Sequence, residues 1–332
     1  MKSKVICLRP RHDFDRAGIE ISETFDIQFF PHFDEETVSR ALVDADFILA
    51  SSHHPPITAR LISSARSLKM IQLCGAGYDN VDLEAANKAR IPVARSPGQN
   101  SRAVAEYSYN LMSLLNRGIW EGDYETKRGR YQWVREKLRK EGVYELDGMN
   151  LGILGLGAVG KEMAKIGGFF GAHLFYFDII RLPSEEERDL RVIYVDFPEL
   201  LKTSDILSLH IPLSETTRNL IGRRELALMK PSAILINTAR GGIVDHGALL
   251  EALRTNQLKG AALDVFDPEP IPEGHPFLSL DAELQKRLIL TPHLAGSGRQ
   301  SQNRMFKEAI NNILRVMRGE APRYVVNLRQ AQ

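Results

Sequence analysis

Three apolar stretches in the second half of the sequence each lead to a side chain that can bind an anion or move a proton. The three pairs are Ala233–Ile236 with Arg240, Ala261–Val265 with Glu269, and Leu288–Leu290 with His293. If the stretches are parallel strands, their carboxyl ends meet at the edge of the sheet where open α/β folds bind ligands. An arginine, a carboxylate and a histidine there could grip a carboxylate, orient an imidazole and donate a proton near neutral pH.

Each of these residues also has an ordinary structural interpretation. An arginine after a strand commonly forms a surface ion pair, a glutamate in a proline-rich loop is commonly solvated, and a histidine after proline commonly caps a strand. The functional interpretation of Arg240, Glu269 and His293 therefore depends on what else the sequence carries.

A glycine-rich turn supplies that context. The apolar run Leu151–Leu154 is followed by Gly155, Gly157 and Gly160 in the spacing Gly-x-Gly-x-x-Gly, and a helical stretch comes next. The first glycine permits a tight turn, the second lets backbone approach a diphosphate, and the third allows close packing of helix and strand. The amides at the start of the helix can hold the diphosphate.

A lone glycine motif is weak, because a plain βα turn or a methyltransferase-type nucleotide site can look the same. Here a second apolar run, Leu174–Phe177, ends at Asp178, 18 residues after the last glycine. A carboxylate at this place can accept hydrogen bonds from the ribose hydroxyls of the adenosine. This favours a dinucleotide, and NAD over NADP.

Together the two sets of residues match the reduction of a 2-keto acid by a nicotinamide. The reaction needs a cation for the substrate carboxylate, a donor that polarises the keto oxygen, and an acid that gives up a proton as hydride arrives. Arg240 offers a rigid fork of donors. His293 is the natural acid, and Glu269 would orient its ring and favour the protonated form. No metal is required.

The elements that must position these groups follow from the apolar pattern. Strands are expected at Val5–Arg9, Ile27–Phe30, Phe47–Ala50, Met70–Cys74, Ile91–Ala94, Leu151–Leu154, Leu174–Phe177, Ile206–Leu209, Ala233–Ile236, Ala261–Val265 and Leu288–Leu290. Helices are expected at Glu35–Val43, Ala59–Ala65, Leu83–Ala89, Ser101–Asn116 and Ser301–Arg318. The last of these is expected to pack back against the first domain.

This alternation predicts an α/β protein with two Rossmann-like or flavodoxin-like βα domains, each with a parallel sheet, and an interdomain cleft. Residues 1–100 plus 297–332 are expected to form a discontinuous substrate-binding (catalytic) domain. Residues 101–296 are expected to form the NAD-binding Rossmann domain.

Composition excludes several classes of protein. The net charge of +1 over 332 residues argues against nucleic acid or a membrane as the partner. Lys127–Lys140 is basic and is interpreted as a solvated helix face or loop. Met1–Pro10 predicts a strand rather than a signal peptide, and no stretch has the length of a membrane span. With only Cys7 and Cys74, a disulfide framework is not expected, and the chain is expected to be cytoplasmic.

Several motifs together closely resemble the D-isomer-specific 2-hydroxyacid dehydrogenase family, over nearly the whole chain. The motifs are Asn237-Thr-Ala-Arg240-Gly-Gly-Ile-Val-Asp245, Ala262-Leu-Asp264-Val-Phe-Asp-Pro-Glu269-Pro270, Thr291-Pro-His293, Gly75-Ala-Gly77-Tyr-Asp79-Asn-Val-Asp82, Pro97-Gly-Gln-Asn100 with Val104-Ala-Glu106, and His210-Ile-Pro212-Leu.

The resemblance implies roles for individual residues. Arg240, Glu269 and His293 would form the catalytic set, and Arg240 and His293 would also contact substrate. Backbone around Ala76 and Gly77 would hold the substrate carboxylate, since bare amides can converge on an anion. Asp264 would contact the nicotinamide carboxamide. The further residues expected to bind the cofactor are Gly155, Gly157, Ala158, Val159, Gly160, Asp178, His210, Pro212, Thr217, Thr238, Ala239 and Val104.

One departure from the family bears on the substrate. The loop 51–56 reads Ser-Ser-His-His-Pro-Pro, where phosphoglycerate-type members tend to have arginine and serine. This departure argues against a phosphorylated substrate. A cation elsewhere, such as Arg102, could still bind a phosphate, so 3-phosphoglycerate stays an alternative. His53 or His54 could contact substrate or simply fill the loop. They lack further ligands for a metal.

The sequence is thus identified as an NAD-dependent oxidoreductase that moves hydride between nicotinamide and C2 of a small D-2-hydroxy acid or 2-keto acid, similar to glyoxylate/hydroxypyruvate reductases. The alternative is an NAD-sensing, corepressor-like binding protein on the same scaffold. The resemblance also implies a homodimer, with the aromatic residues of 119–133 as candidates for the interface.

Overall fold

The computed structural model describes residues 2–20 and 23–328. The described residues of Met1–Asn100 and Ser297–Gln332 form one compact unit, called unit 1, and Ser101–Gly296 form the second, called unit 2. No helix among the described residues has the length and apolar character needed to cross a membrane.

The described strands, in chain order, are β1 (Ser3–Cys7), β2 (Phe25–Phe29), β3 (Phe47–Ser51), β4 (Met70–Cys74), β5 (Val93–Ala94), β6 (Asn150–Leu154), β7 (His173–Phe177), β8 (Val192–Tyr194), β9 (Ile206–Leu209), β10 (Ile234–Asn237), β11 (Gly260–Leu263) and β12 (Leu288–Leu290). The described α-helices are α1 (Arg11–Ala17), α2 (Glu35–Leu42), α3 (Ala59–Ser64), α4 (Leu83–Lys88), α5 (Ser101–Asn116), α6 (Ile119–Thr126), α7 (Tyr131–Glu141), α8 (Ala158–Phe169), α9 (Ser184–Leu190), α10 (Phe197–Thr203), α11 (Arg223–Leu228), α12 (His246–Arg254), α13 (Ala282–Arg287) and α14 (Arg299–Met317).

Unit 1 is built on a five-stranded parallel sheet in the order β2-β1-β3-β4-β5. All residues of β3 and β4 are buried, as expected for central strands covered on both faces. One face packs against a cluster that includes Leu42 and Leu61 from helices α2 and α3. The other face packs on Phe14 of α1 and Phe306 of α14, whose rings lie 4.5 Å apart.

Unit 2 is built on a seven-stranded parallel sheet in the order β12-β11-β10-β9-β6-β7-β8. The chain runs outward from β6 through β7 to β8 and then returns to place β9 on the opposite side of β6. The strand order therefore reverses between β6 and β9, which is where doubly wound sheets bind their ligands. The predicted fold class is confirmed.

Among the differences between the predicted and the described strands, two have identifiable reasons. The predicted strand Ile91–Ala94 begins only at Val93. The Ile91 amide donates to the Ala86 carbonyl at 2.9 Å, at the end of α4, and is not available to the sheet. Pro92 has no backbone N–H group with which to pair. The edge strand β8 was not predicted, since three residues with Ile193 54% exposed give too short an alternation.

The segment before the glycine turn forms a helical hairpin. Helices α6 and α7 cover most of residues 119–141, so the basic stretch lies largely on a helix. Glu125 of α6 is fully buried, forms an ion pair with Lys286 of α13 at 2.7 Å, and accepts a hydrogen bond from Arg130. These bonds hold the pKa of Glu125 at about 2. A buried ion pair thus fastens the hairpin to α13.

Candidate active site

The glycine turn lies at the switch point of the unit 2 sheet. Gly155 follows β6 with φ of 91°, and a Cβ atom there would lie 2.7 Å from the His210 carbonyl oxygen. A Cβ at Gly160 would overlap the Gly155 carbonyl oxygen. At Gly157, by contrast, no heavy atom lies within 4 Å of the Cβ position. The protein itself thus excludes side chains at the first and third glycines, and leaves open space at the second.

The start of α8 faces this space. Gly157 and Ala158 are exposed and Val159 is half-buried, so the first amides of a 12-residue helix are presented to a ligand. Asp178 is fixed beside the turn, because its carboxylate accepts from the Leu156 amide at 2.8 Å and from the Ile180 amide at 3.3 Å. The open cradle, the helix amides and the fixed carboxylate fit a dinucleotide.

His210 follows β9, the strand that pairs with β6 before the glycine turn. Its backbone amide donates to the Leu154 carbonyl at 2.7 Å, and its Nε2 lies 2.9 Å from the Ser208 hydroxyl. Desolvation lowers the pKa of His210 to about 4. The ring is therefore neutral at physiological pH.

Thr217 and Pro212 close a local turn. The Thr217 hydroxyl donates to the Pro212 carbonyl at 2.7 Å and accepts from the Ser214 amide at 2.7 Å. These bonds shape the loop after β9. The predicted cofactor contacts of both residues stay predictions.

Thr238 and Ala239 follow β10 and are held by neighbours. The Thr238 hydroxyl lies 2.8 Å from the Ser108 hydroxyl, which donates to the Val104 carbonyl at 2.8 Å on α5. The Ala239 amide donates to the Asn237 side-chain oxygen at 3.1 Å. Helix α5 thus fixes the start of the loop that carries Arg240.

Arg240 is half-buried, and the backbone around it is tightly fixed. Its carbonyl accepts from Asn237 Nδ2 at 2.9 Å, and its own guanidinium donates to the Ala239 carbonyl at 2.7 Å. The next residue, Gly241, packs directly on the backbone of Phe266, which a Cβ atom would overlap. The Arg240 loop and the loop after β11 are therefore in backbone contact.

Glu269 and His293 meet at the carboxyl end of β11 and β12. His293 Nδ1 donates to Glu269 Oε2 at 2.7 Å, and the other carboxylate oxygen accepts from the Phe266 amide at 2.7 Å. The two side chains are 28% and 29% exposed, so they form one hydrogen-bonded pair at the surface of unit 2. His293 has φ of 54°, a left-handed conformation that is uncommon without glycine.

Asp264 fixes that unusual backbone. It is fully buried, and its carboxylate accepts from the Thr291 hydroxyl at 2.6 Å and from the amides of Leu294 and Ala295 at 3.0 and 2.8 Å. Burial raises the pKa of Asp264, while these hydrogen bonds lower it. Its carbonyl also accepts from the His293 amide at 2.8 Å.

Sequence analysis missed this positioning role of Asp264. The signal available was Thr291, a hydroxyl two residues before the histidine. A contact with the nicotinamide carboxamide stays a prediction for this buried side chain.

The predicted carboxylate-binding turn lies in unit 1, after β4. Gly75 has φ of 149°, and a Cβ atom there would overlap the Ser52 side chain. The Ala76 carbonyl accepts from Arg95 at 2.9 Å, and Gly77 is buried. The turn is thus held from both sides, and its binding of the substrate carboxylate stays a prediction.

The histidine loop of unit 1 and Arg102 are exposed. His53 lies with Nδ1 3.2 Å from the Ser51 hydroxyl, and His54 is exposed beside it. Arg102 donates to Glu106 at 2.9 Å on α5. Within residues 2–20 and 23–328, no group of three or more histidine, cysteine or acidic side chains is arranged to hold a metal ion.

Comparisons with known proteins agree with this geometry. The model of the family described as D-isomer specific 2-hydroxyacid dehydrogenase, NAD binding domain, matches residues 109–295. Glyoxylate reductase of Aeropyrum pernix is 36% identical over 325 residues, 96% of this chain and 94% of that protein. D-3-phosphoglycerate dehydrogenase of Methanocaldococcus jannaschii is 36% identical over 326 residues, 98% of this chain and 59% of that protein.

A solved structure gives the same answer for the fold. The apo form of Rhodotorula graminis D-mandelate dehydrogenase has a TM-score of 0.86 at 26% sequence identity, and the match covers 99% of this chain and 98% of that one. The family match spans more than half of the chain and the curated relatives match nearly all of it. The chain belongs to the D-isomer-specific 2-hydroxyacid dehydrogenase family and is an NAD-dependent oxidoreductase.

Proposed function

We propose that this protein reduces a small, unphosphorylated 2-keto acid of the glyoxylate or hydroxypyruvate kind to the corresponding 2-hydroxy acid, with D configuration where C2 becomes a stereocentre. The observation that carries the proposal is the 2.7 Å hydrogen bond between His293 Nδ1 and Glu269 Oε2. It lies at the carboxyl ends of β11 and β12, and Arg240 follows the adjacent strand β10. The family match and the glyoxylate reductase relative support the same reaction class.

Each of the three side chains has a separate task in this proposal. NADH supplies the hydride when it is bound. His293 donates a proton to the keto oxygen from Nε2, because Nδ1 is held by Glu269. Glu269 fixes the ring and stabilises its positive charge before the proton leaves. Arg240 grips the substrate carboxylate and polarises the keto oxygen with its planar fork of donors.

The glycine turn holds the cofactor in this proposal. The amides of Ala158 and Val159 at the start of α8 bind the diphosphate, and the space above Gly157 admits it. Asp178 accepts hydrogen bonds from the ribose hydroxyls and would repel a phosphate at the 2′ position, which favours NADH over NADPH.

A substrate-binding role is also proposed for unit 1. The amides around Ala76 and Gly77 would bind the carboxylate, since the turn after β4 is held rigid by Ser52 and Arg95. Residues 1–100 with 297–332 would thus be the substrate-binding domain. The absence of arginine from the loop 51–56 supports an unphosphorylated substrate, and His53 and His54 are candidates for its contacts.

The test is steady-state oxidation of NADH with glyoxylate, hydroxypyruvate and 3-phosphohydroxypyruvate. We expect turnover with glyoxylate or hydroxypyruvate. For the phosphorylated acid we expect a kcat/KM at least about tenfold lower, because removing a phosphate from water without a cation to pair with it costs free energy. His293→Asn should abolish turnover, and the exposed His173→Asn is the matched control. NADH binding without oxidation of any 2-keto acid would contradict the enzyme assignment.

The alternative, an NAD-sensing binding protein, is not favoured. The relatives described above are enzymes, and this chain carries the full set of Arg240, Glu269 and His293.

We also propose a cytoplasmic homodimer. Its support is the exposure of large apolar side chains on the helices of unit 2: Trp120 is 37%, Trp133 47% and Phe169 84% exposed. Light scattering of Phe169→Asp and Trp133→Asp should show dissociation, while Ile193→Asp at the sheet edge should not. A reducing compartment is consistent with Cys7 and Cys74, which are both buried free thiols.

A further inference from the structure

Two histidines in unit 2 contact each other next to the loop that carries Glu269. His246 is the first residue of α12, and His275 precedes a short 3-10 turn at Pro276–Leu278. His246 Nδ1 lies 3.3 Å from His275 Nε2. Phe277 packs on the His246 ring with centroids 4.9 Å apart, and Phe266 lies at 6.3 Å. The pair thus joins α12 to both ends of the segment 266–277.

The hydrogen bonds define where the protons are. The Phe277 amide donates to His275 Nδ1 at 3.2 Å, so that nitrogen carries no proton. A neutral His275 then has its proton on Nε2, which donates to His246 Nδ1. A neutral His246 has its own proton on Nε2. That atom is buried and has no hydrogen-bond partner among the residues that the structure describes.

No additional proton fits this arrangement. It would have to bind His246 Nδ1 or His275 Nδ1, and each of these atoms already faces an N–H group. Protonation would therefore replace a hydrogen bond by a repulsive contact between two donors. The amino end of α12 also disfavours a positive charge.

The charged groups around His246 act in both directions. Burial lowers the pKa of His246 and the His275 ring lowers it further, while the carboxylates of Asp267 and Asp245 raise it. Asp245 caps α12 through the Ala248 amide, and Asp267 is paired with Arg218. Both carboxylates therefore have other partners, and burial is the larger effect.

The segment that the pair holds is the one that positions the site. Phe266 donates its amide to Glu269, and its backbone packs on Gly241, the residue after Arg240. We propose that His246 and His275 are positioning residues, a neutral latch that holds the loop 266–277 in place and releases it when the pair is protonated. The catalytic consequence rests on the proposed function, whereas the release itself does not.

The test uses the complete apo protein and His246→Asn. Asn keeps an acceptor for His275 Nε2 but cannot be protonated. In the wild type, hydrogen exchange of the 266–277 amides, corrected for intrinsic rates, should accelerate between about pH 7.5 and about pH 5.5, by up to about tenfold per pH unit once opening is coupled to proton uptake. His246→Asn should reduce this acceleration, because one of the two sites for the added proton is gone. His173→Asn, at an exposed residue of the same unit, should retain it.

His246→Phe removes both nitrogens and keeps a ring. It should loosen the loop at both pH values and lower kcat about tenfold, with the NADH dissociation constant unchanged. Equal exchange of the wild type at both pH values, or acceleration in His246→Asn equal to that of the wild type, would overturn the latch. A loosened loop in His246→Phe with unchanged kcat would overturn its positioning role. Absence of turnover in the wild type with pH-dependent exchange intact would overturn the proposed function and leave the latch standing.

Discussion

Arg240 combines a half-buried guanidinium with a backbone fixed by Asn237 and by the contact between Gly241 and Phe266. Because Asn237 and the Gly241–Phe266 contact hold the backbone in addition to the bond from the guanidinium to the Ala239 carbonyl, truncation should remove the charge with little movement of the loop. The Arg240→Ala variant is expected to lose about 10²–10³-fold in kcat/KM, the effect of removing one strong transition-state donor. NADH affinity, measured by fluorescence titration, should stay nearly intact. Arg254→Ala, at an exposed arginine of the same unit, is the control, and equal weakening of NADH binding in Arg240→Ala would contradict the assignment.

Gly155 and Gly157 form a matched pair at the same scale. Alanine at Gly155 would contact the His210 carbonyl and would also have to adopt φ of 91°. Gly155→Ala should therefore lower the free energy of unfolding by about 1–3 kcal/mol. Alanine at Gly157 meets no protein atom and has φ of −71°. Gly157→Ala should therefore keep its unfolding temperature and weaken NADH binding about tenfold or more. Loss of stability in Gly157→Ala with unchanged NADH binding would sink the interpretation of the open space as a diphosphate site.

At the scale of elements, the end of β11 organises the end of β12 through Asp264. In Asp264→Asn, one of the two carboxylate oxygens is replaced by an NH₂ group. In one orientation this group faces the Ala295 amide, and in the other it faces the Leu294 amide and the Thr291 hydroxyl. A buried clash of donors costs about 1–3 kcal/mol. We expect a lower unfolding temperature and a reduced kcat, because His293 loses its fixed backbone. Thr291→Val removes one donor only and should show a smaller effect on both, so an Asp264→Asn enzyme with wild-type kcat would refute the positioning role.

Individual elements were predictable from sequence, whereas the contacts between them were not. Helix α5 begins and ends where the apolar spacing placed it, and the strand, glycine turn and strand up to Asp178 were predicted because their pattern is local. The contacts of Asp264 with Thr291 and of His246 with His275 join residues 27 and 29 positions apart. They depend on which strands are neighbours, and periodicity alone does not contain that information.

For the whole molecule, partly buried histidines whose pKa is lowered by desolvation make stability depend on pH. The pKa of His210 is about 4 in the folded chain, against about 6.5 when unfolded. The unfolded chain therefore takes up a proton that the folded chain does not, so this destabilisation begins as pH falls below about 6.5 and is complete near 4. At about pH 5 it amounts to about 1–2 kcal/mol. The carboxylates of Glu125 and Glu187, with pKa of about 2, contribute only below about pH 4.5.

Urea unfolding of the apo protein at about pH 7 and about pH 5 measures this dependence. His210→Asn should lose a corresponding part of it and keep the remainder, which includes the effect of the depressed pKa of His246. An unchanged pH dependence in His210→Asn would show that the His210 ring is solvated in the folded protein.

Unit 1 is interrupted in sequence by unit 2, and this has a consequence for synthesis. All five strands of the unit 1 sheet are synthesised before unit 2. The sheet face that carries Phe14 is completed only when α14 adds Phe306. The buried Gln72 likewise gains its hydrogen bond from Asn312 Nδ2, at 2.7 Å, only after α14 is made. Unit 2, a contiguous stretch, has all its residues before α14 emerges. A nascent chain can therefore complete unit 2 while one apolar face of the unit 1 sheet is still exposed. During this interval the strands of unit 1 are the part of the chain that we expect a chaperone to bind.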